Sequence, residues 1–417
     1  MKRAFALIAV GLMFLTSCWI ENDDQPDLLV GVASSSINPS IGAFIAGDKQ
    51  NRKFTAVRDS LYAKAVVMTN GDESISLVTI DCIGLMYSDV LKIRDRTSQI
   101  CDFPKERIVV SSTHTHSGPD VVGIWGPDYT RTGVDSGYME KLINTVASQV
   151  KKASENQVSV KAFVSETSYG DPWVENICKE EIDRSVSIIQ FRDFQDDVVV
   201  TLSNFACHPT ILDAEFSVVS ADFVGGYYKH MRESTGAEAL FLQGAIGGWI
   251  QPEGLPKSFE SANQLGMGLA DAVLSSLSNA EEMVESEISF NSNAFQFPVE
   301  NQAWKQLSAL GIINRDFGDS VLTEVSWFAI GNAQFATHPG ETAPQMGLDT
   351  KQMMTTGPKF VLGLGNDALG YILKTSFFES DSVLHAPYLT SMSLGPETAP
   401  MMMEELEKII PGEIEGN

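Results

Sequence analysis

The stretch VVSSTHTHSGPD, residues 109–120, sets two of the chain's six histidines, His114 and His116, one threonine apart. A strand-like RIVV precedes them and SGP after them reads as a turn. Side chains along a strand alternate faces, so the two imidazoles should project to the same side. Such a pair suits a metal ion, or one ligand beside a group that handles a proton; it equally suits two turn histidines making ordinary hydrogen bonds. Three further residues stand at strand ends. His208 closes NFACHPT, where Pro209 stops further pairing. Glu341 follows another strand through the Pro-Gly turn of ATHPGETAPQMG, and Tyr371 comes just after a fourth strand, in GNDALGYILK. Active sites collect at such ends because a rigid sheet holds loop residues in place.

Two histidines and a glutamate are a familiar catalytic zinc set, with a position left for water. Zinc in such a set brings water's pKa near neutrality and polarises a carbonyl. Each residue also has an ordinary role open to it. Glu341 could cap the helix that TAPQMG begins, Tyr371 could be a core or rim aromatic, and His338 could replace one of the other histidines. His230 is expected on a helix surface and His385 in a loop. Spacing alone does not choose three ligands from six histidines. Rival chemistries lack their signatures: the chain has no G-x-S-x-G elbow, no H-E-x-x-H and no Walker-type loop. Cys207 and His208 are neighbours on a strand and point to opposite faces, which argues against a thiol nucleophile.

The elements that must position these residues alternate in type. Strands are expected over 74–81, 107–112, 197–206, 239–244, 325–331, 333–338 and 360–365, rich in Val, Ile, Phe and Thr. A hairpin is expected at Gly331-Asn332. Helices are expected over 138–153, with Leu142, Ile143, Val146 and Val150 on one face, over 261–280, with Leu265, Leu269, Val273 and Leu277, and over 399–410. No repeat or linker interrupts residues 28–410. The expectation is α/β: mixed β-sheets with surrounding helices, in a single large catalytic domain spanning 28–412.

Composition bounds the partners and the compartment. The chain has 417 residues, 43% of them hydrophobic, and a formal charge of −25. That charge gives no electrostatic case for nucleic acid and repels anionic surfaces. The first residues read MKR, then AFALIAVGLMFL, then LTSC: a positive region, a short apolar run and a Leu-x-Ser-Cys ending. This resembles the lipobox of a bacterial lipoprotein. Residues 1–17 are then a signal peptide, 18–27 a lipidated Cys18 with its tether, and 413–417 a tail. The resulting expectation is an exported lipoprotein held to the cell envelope through Cys18. Cys82, Cys101, Cys178 and Cys207 follow no metal-knuckle spacing, and bridges and buried free thiols stay equally open.

Taken in order, GVASSSINPSIGAFIAG, RDSLYAKAVVM, THTHSGP, NFACHPT, FLQGAIGG, HPGETAPQMG and GYILK resemble the N-terminal catalytic domain of the neutral/alkaline non-lysosomal ceramidase family. The resemblance runs from about residue 28 to 410. It implies a catalytic Zn2+ held by His114, His208, Glu341 and Tyr371, with His116 lining the site and handling substrate or a proton and Tyr371 also taking part in catalysis. The implied reaction is attack of a zinc-bound water on the N-acyl amide of ceramide or a related lipid, giving a fatty acid and an amine, with the metal stabilising the oxyanion. Three departures stand out. Gly247, in GAIGGW, occupies the position of a family serine. The family's Asn-Arg-Ser-Pro segment is not evident before EEIDRSVSIIQF, and the family's C-terminal immunoglobulin-like domain is not expected. These departures keep a zinc amidase or esterase for another small substrate, and a non-catalytic lipid- or glycan-binding surface lipoprotein, as alternatives.

Overall fold

Apolar stretches broken by turns fold into two main sheets that bury a face against each other, beside three two-stranded pairings. The computed structural model describes residues 28–379 and 383–412. The expected signal peptide, Cys18 with its tether, and the tail at 413–417 lie outside the described residues. The larger sheet contains β1 (Leu29–Ser36), β2 (Tyr62–Asn70), β3 (Glu73–Ile80), β4 (Ile108–Ser112), β5 (Val158–Ser168), β6 (Ser185–Asp193), β7 (Val198–Phe205) and β8 (Glu238–Gln243). Their spatial order is β8-β7-β6-β5-β1-β2-β3-β4, and the short strand Glu281–Glu282 adds onto β5. The smaller sheet runs in sequence order through β9 (Ile288–Pro298), β10 (Ser320–Ile330), β11 (Ala333–His338) and β12 (Lys359–Gly363). The hairpin expected at Gly331-Asn332 joins β10 to β11. Most pairings are antiparallel; β3–β4, β7–β8 and β11–β12 are parallel. Those parallel pairs carry the residues of interest at their ends.

Between the sheets lies an apolar layer that includes Val66, Leu77, Val109, Leu202 and Leu240 from one side and Phe328, Phe335 and Phe360 from the other. The three phenylalanines stack in series, with ring centroids 4.4 and 4.2 Å apart. Helices cover the outer faces. Among them, α1 (Tyr87–Ile100), α2 (Ser136–Glu155), α3 (Phe223–Thr235) and α4 (Phe259–Leu277) are the longer ones flanking the larger sheet, with α2 against β1 and β2, α3 against β8 and α4 against β5. The helix Thr398–Ile409 packs on β9 and β10. This is a mixed α/β architecture of helix, sheet, sheet and helix layers.

Local chemistry explains the helices. Asp135 caps α2 by accepting from the amides of Gly137 and Tyr138, and Leu142, Val146 and Val150 form its buried stripe. Ile143, expected on that face, is only half-buried. Ser258 caps α4, whose stripe is Leu265, Leu269, Val273 and Leu277. The apolar period does not announce α1: its sequence, YSDVLKIRDRTSQI, is polar, and Arg94 is buried by a two-pronged ion pair to Glu324 of β10 at 2.9 and 2.7 Å.

Two asparagines stitch the sheets together. The Asn204 Nδ2 donates to the carbonyls of Leu242 and Val361, and its Oδ1 accepts from the Val361 amide. The Asn366 backbone amide donates to the Val110 carbonyl, while its side-chain oxygen accepts from the Val110 amide. These amides replace ladder bonds that the strand ends would otherwise leave unmade, each omission costing about 1–3 kcal/mol when buried. The ends of β4, β7, β8 and β12 are thereby drawn to one place. Among the described residues Cys82, Cys101, Cys178 and Cys207 are all free thiols.

Candidate metal centre

The chain beyond β4 does not stay extended. The strand ends at Ser112 and His114 adopts φ +66°, so strand alternation is not what brings the two histidines together. A left-handed residue turns the chain, fixed by the His114 amide on the Cys82 carbonyl at 2.9 Å. The His114 and His116 rings still meet edge to face, with centroids 5.1 Å apart. The His208 ring, arriving from the end of β7, stands 4.9 Å from that of His114 and 5.8 Å from that of His116. Ligand atoms from the three imidazoles all lie within 4.8 Å of one another.

Each of two rings is locked by a backbone carbonyl. The Nδ1 of His114 donates to Ile83 O at 2.5 Å, and the Nδ1 of His208 donates to Ile250 O at 2.7 Å. That bond leaves each Nε2 of a neutral ring as a bare lone pair, the arrangement that second-sphere carbonyls impose on metal-binding histidines. Both Nε2 atoms face one carboxylate oxygen: Glu341 Oε2 lies 3.1 Å from His208 Nε2 and 3.5 Å from His114 Nε2. Burial drives the His114 imidazole down to about 3, against the opposing pull of Glu341. Burial alone would raise the Glu341 carboxyl, but the surrounding histidines outweigh it and hold the group at about 2. At neutral pH the Glu341 carboxylate and the bare Nε2 of His114 converge on one point, with His208 Nε2 beside them. A divalent cation suits that convergence, and two imidazole nitrogens with a carboxylate are a donor set that zinc takes.

Glu341 is placed by a two-residue parallel pairing, Glu341–Thr342 against Tyr371–Ile372, in which Glu341 sits opposite Tyr371. It does not cap the following helix, Pro344–Met353, whose cap is Ala343. Tyr371 is buried; burial first, then the Glu341 charge and a hydrogen bond to that carboxylate, hold its phenol well above the ordinary value. Beneath Glu341 passes Gly247. Its amide donates to Thr342 O at 2.8 Å, and a Cβ there would lie 2.0 Å from the Glu341 carbonyl oxygen. A serine cannot occupy this position with the backbone as it stands.

His116 sits on the open side of the cluster. Its Nε2 is 3.4 Å from His114 Nε2 and its Nδ1 is 3.3 Å from Asp213 Oδ1. With His114, Glu341 and Tyr371 it lines a cavity of about 310 Å³, otherwise walled mainly by apolar groups such as Ile124, Trp125, Trp304, Ile313 and Met392. That is the small end of the usual range for small-molecule sites.

The structure therefore brings together all five residues singled out in the sequence: His114, His116, His208, Glu341 and Tyr371. The remaining histidines lie elsewhere. His338 is bonded through both ring nitrogens, to Thr342 and Thr350. His230 is on α3, paired with Asp271, and His385 packs its ring against Trp249. Cys207 is wholly buried, and burial raises its thiol far above the reactive range. Sequence reasoning missed Asp213 and Arg52. The Arg52 guanidinium donates to the carbonyls of Ala46, Gly47, His116 and Asp213, tying three chain segments together. No spacing signal links them, since the His116–Asp213 contact spans 97 positions.

No family model matches the chain. Among solved structures it is similar to neutral ceramidase from Pseudomonas aeruginosa, with a TM-score of 0.78 and 15% identity over 92% of this chain and 74% of that one. It is also similar to a structure described as ceramidase complexed with C2, with a TM-score of 0.74 and 14% identity over 92% of this chain and 75% of that one. Identity this low speaks to architecture alone, and the architecture is the neutral ceramidase fold.

Proposed function

We propose that the protein is a zinc-dependent hydrolase that cleaves the amide bond of an N-acyl lipid, ceramide or a close relative. The observation that carries this is the Glu341 carboxylate faced by the carbonyl-locked His114 and His208 at the head of an apolar cavity. The ceramidase fold of the neighbouring structures supports the substrate class.

His114, His208 and Glu341 would hold the metal, with Tyr371 as a fourth donor once its phenolic proton is displaced. Bound zinc supplies a Lewis acid for the acyl carbonyl and lowers the pKa of a water it binds. The remaining work falls to the chain. The apolar walls take the acyl chain and exclude bulk water, which strengthens every charge interaction at the cavity head. In amide hydrolysis the water oxygen joins the acyl carbon, the C–N bond breaks and the nitrogen leaves with an added proton. His116, which lines the cavity with its Nε2 3.4 Å from His114 Nε2, is placed to hold that proton and pass it to the leaving nitrogen. With Gly247 where the family carries serine, no hydroxyl at that position takes part.

Purified protein should carry about one zinc per chain and hydrolyse N-acyl amides in a way that a chelator stops. A panel of N-acyl amides and matching esters, each run with and without chelator, separates the outcomes. Turnover of esters alone would overturn the amide assignment, and protein that stays metal-free after incubation with zinc would overturn the enzyme. We further propose that the chain is exported and anchored through Cys18. Incorporation of labelled palmitate into wild-type protein and not into Cys18→Ala tests this.

A further inference from the structure

We propose that Asp213 is a positioning residue for His116, fixing the ring so that its Nε2 addresses the substrate side of the cluster as the proton-handling group rather than as another metal ligand. The proposal rests on the metal-hydrolase reading above and adds a residue that neither the motifs nor the fold supplies.

The geometry is specific to this corner of the molecule. His114 and His208 give their Nδ1 atoms to backbone carbonyls, whereas His116 alone gives its Nδ1 to a side-chain carboxylate, 3.3 Å away. His114 and His208 are 5% and 1% exposed at the side chain, and His116 is 15% exposed and opens onto the cavity. The Glu341 oxygen closes on the first two rings, and no ion pair joins it to His116 among the described residues.

The pair is held from behind. One Arg52 nitrogen donates to the Asp213 carbonyl at 3.0 Å, and the other donates to the carbonyls of Gly47 at 2.7 Å and His116 at 3.4 Å. Gly47 presses on the His116 ring so closely that a Cβ there would lie 2.5 Å from Cγ, so the imidazole has a wall on one face and a carboxylate at its edge. A ring fixed on both sides keeps one nitrogen toward the substrate without spending binding energy on orientation. Asp213 itself has φ +33° in a short turn, a conformation that asparagine tolerates about as well as aspartate, so Asp213→Asn changes the charge and the acceptor without straining the backbone.

The test uses the full chain loaded with zinc, as wild type and as Asp213→Asn, Asp213→Ala, His116→Ala and the His116→Ala/Asp213→Asn double variant. Three readouts are taken: zinc per chain, kcat and KM on the N-acyl amide that wild type cleaves best, and the imidazole 15N spectrum of histidine-labelled protein. Expected are unchanged zinc content and a kcat lower by about 10- to 100-fold in both Asp213 variants, with KM within about twofold. The double variant should be no slower than His116→Ala. In the spectrum, the hydrogen-bonded Nδ1–H absent from His116→Ala should also be lost in Asp213→Ala. Loss of zinc from Asp213→Asn would overturn the proposal, since second-sphere partners of true ligands cost 10- to 100-fold in metal affinity. Multiplicative losses in the double variant, or an unaltered His116 resonance in Asp213→Ala, would also overturn it. If no substrate is cleaved at all, the hydrolase reading fails, and the 15N spectrum still decides the role of Asp213.

Discussion

His114 and His338 are both buried histidines near strand ends, and burial brings both imidazoles down to about 3. Their surroundings differ in one respect. His338 gives both nitrogens to hydroxyls, at 2.7 Å to Thr342 and 3.0 Å to Thr350, so nothing is left over. His114 commits one nitrogen to a carbonyl and turns the other toward a carboxylate and two more imidazoles. A depressed pKa therefore registers burial, whereas an uncommitted lone pair facing other donors registers a site. His338 braces the Pro-Gly-Glu turn, and His114 uses the rigidity that results.

The largest effect should come from emptying the cluster. His114→Ala and Glu341→Ala are expected to lose zinc and to lower kcat/KM by about 1,000-fold or more, roughly 4 kcal/mol of barrier, as read by elemental analysis and steady-state rates. His338→Ala should leave zinc in place and instead cost about 2–3 kcal/mol of stability in a denaturant titration, from two lost hydrogen bonds and a buried void. If His338→Ala released the metal as readily as His114→Ala does, the contrast between the two histidines would collapse.

Gly247→Ser sharpens the contrast from the other side, because it touches neither histidine. The new Cβ must push the Glu341 backbone aside, and zinc affinity should fall by about 10- to 100-fold in a competition titration. Gly236→Ala, at positive φ but with open space around it, should cost stability alone.

The smallest effect is a slope. Each imidazole with a folded-state pKa near 3 takes up its proton below pH 6.5 only when the chain unfolds. Stability of the metal-free protein should thus fall as pH drops from about 6.5 toward 3, by at most about 1.4 kcal/mol per pH unit for each such group. In His338→Ala that slope should be shallower by up to one proton's worth. An identical slope would mean that His338 is not held neutral.

Much of this was legible in the sequence, for physical reasons that particular residues display. His208 and Glu341 follow apolar strands within a few residues and Tyr371 follows one after a turn-rich stretch, so a reading of strand ends finds them, and the hairpin at Gly331-Asn332 announces itself by its turn residues. The expected strands and helices all form, with ends shifted by a few residues. What escaped depends on contacts between distant segments. Helix α1 is stabilised by the Arg94–Glu324 pair across the core rather than by an apolar stripe, and β9 alternates exposed and half-buried positions with little apolar signal. The left-handed turn at His114 follows from the Cys82 carbonyl, and Asp213 reaches His116 only through the folded chain. The convergence of the two neighbouring histidines was expected, but the strand alternation invoked for it does not operate there.

The stitching by Asn204 and Asn366 has a consequence for the whole molecule. His114 and His208 extend from the larger sheet, and Glu341 from the smaller. An ion gripped by all three is a rivet through two plates. Its binding and the packing of the plates are then coupled, and the coupling is the same from either side: whatever loosens the sheets weakens the grip, and whatever removes the ion lets the sheets part at a lower temperature.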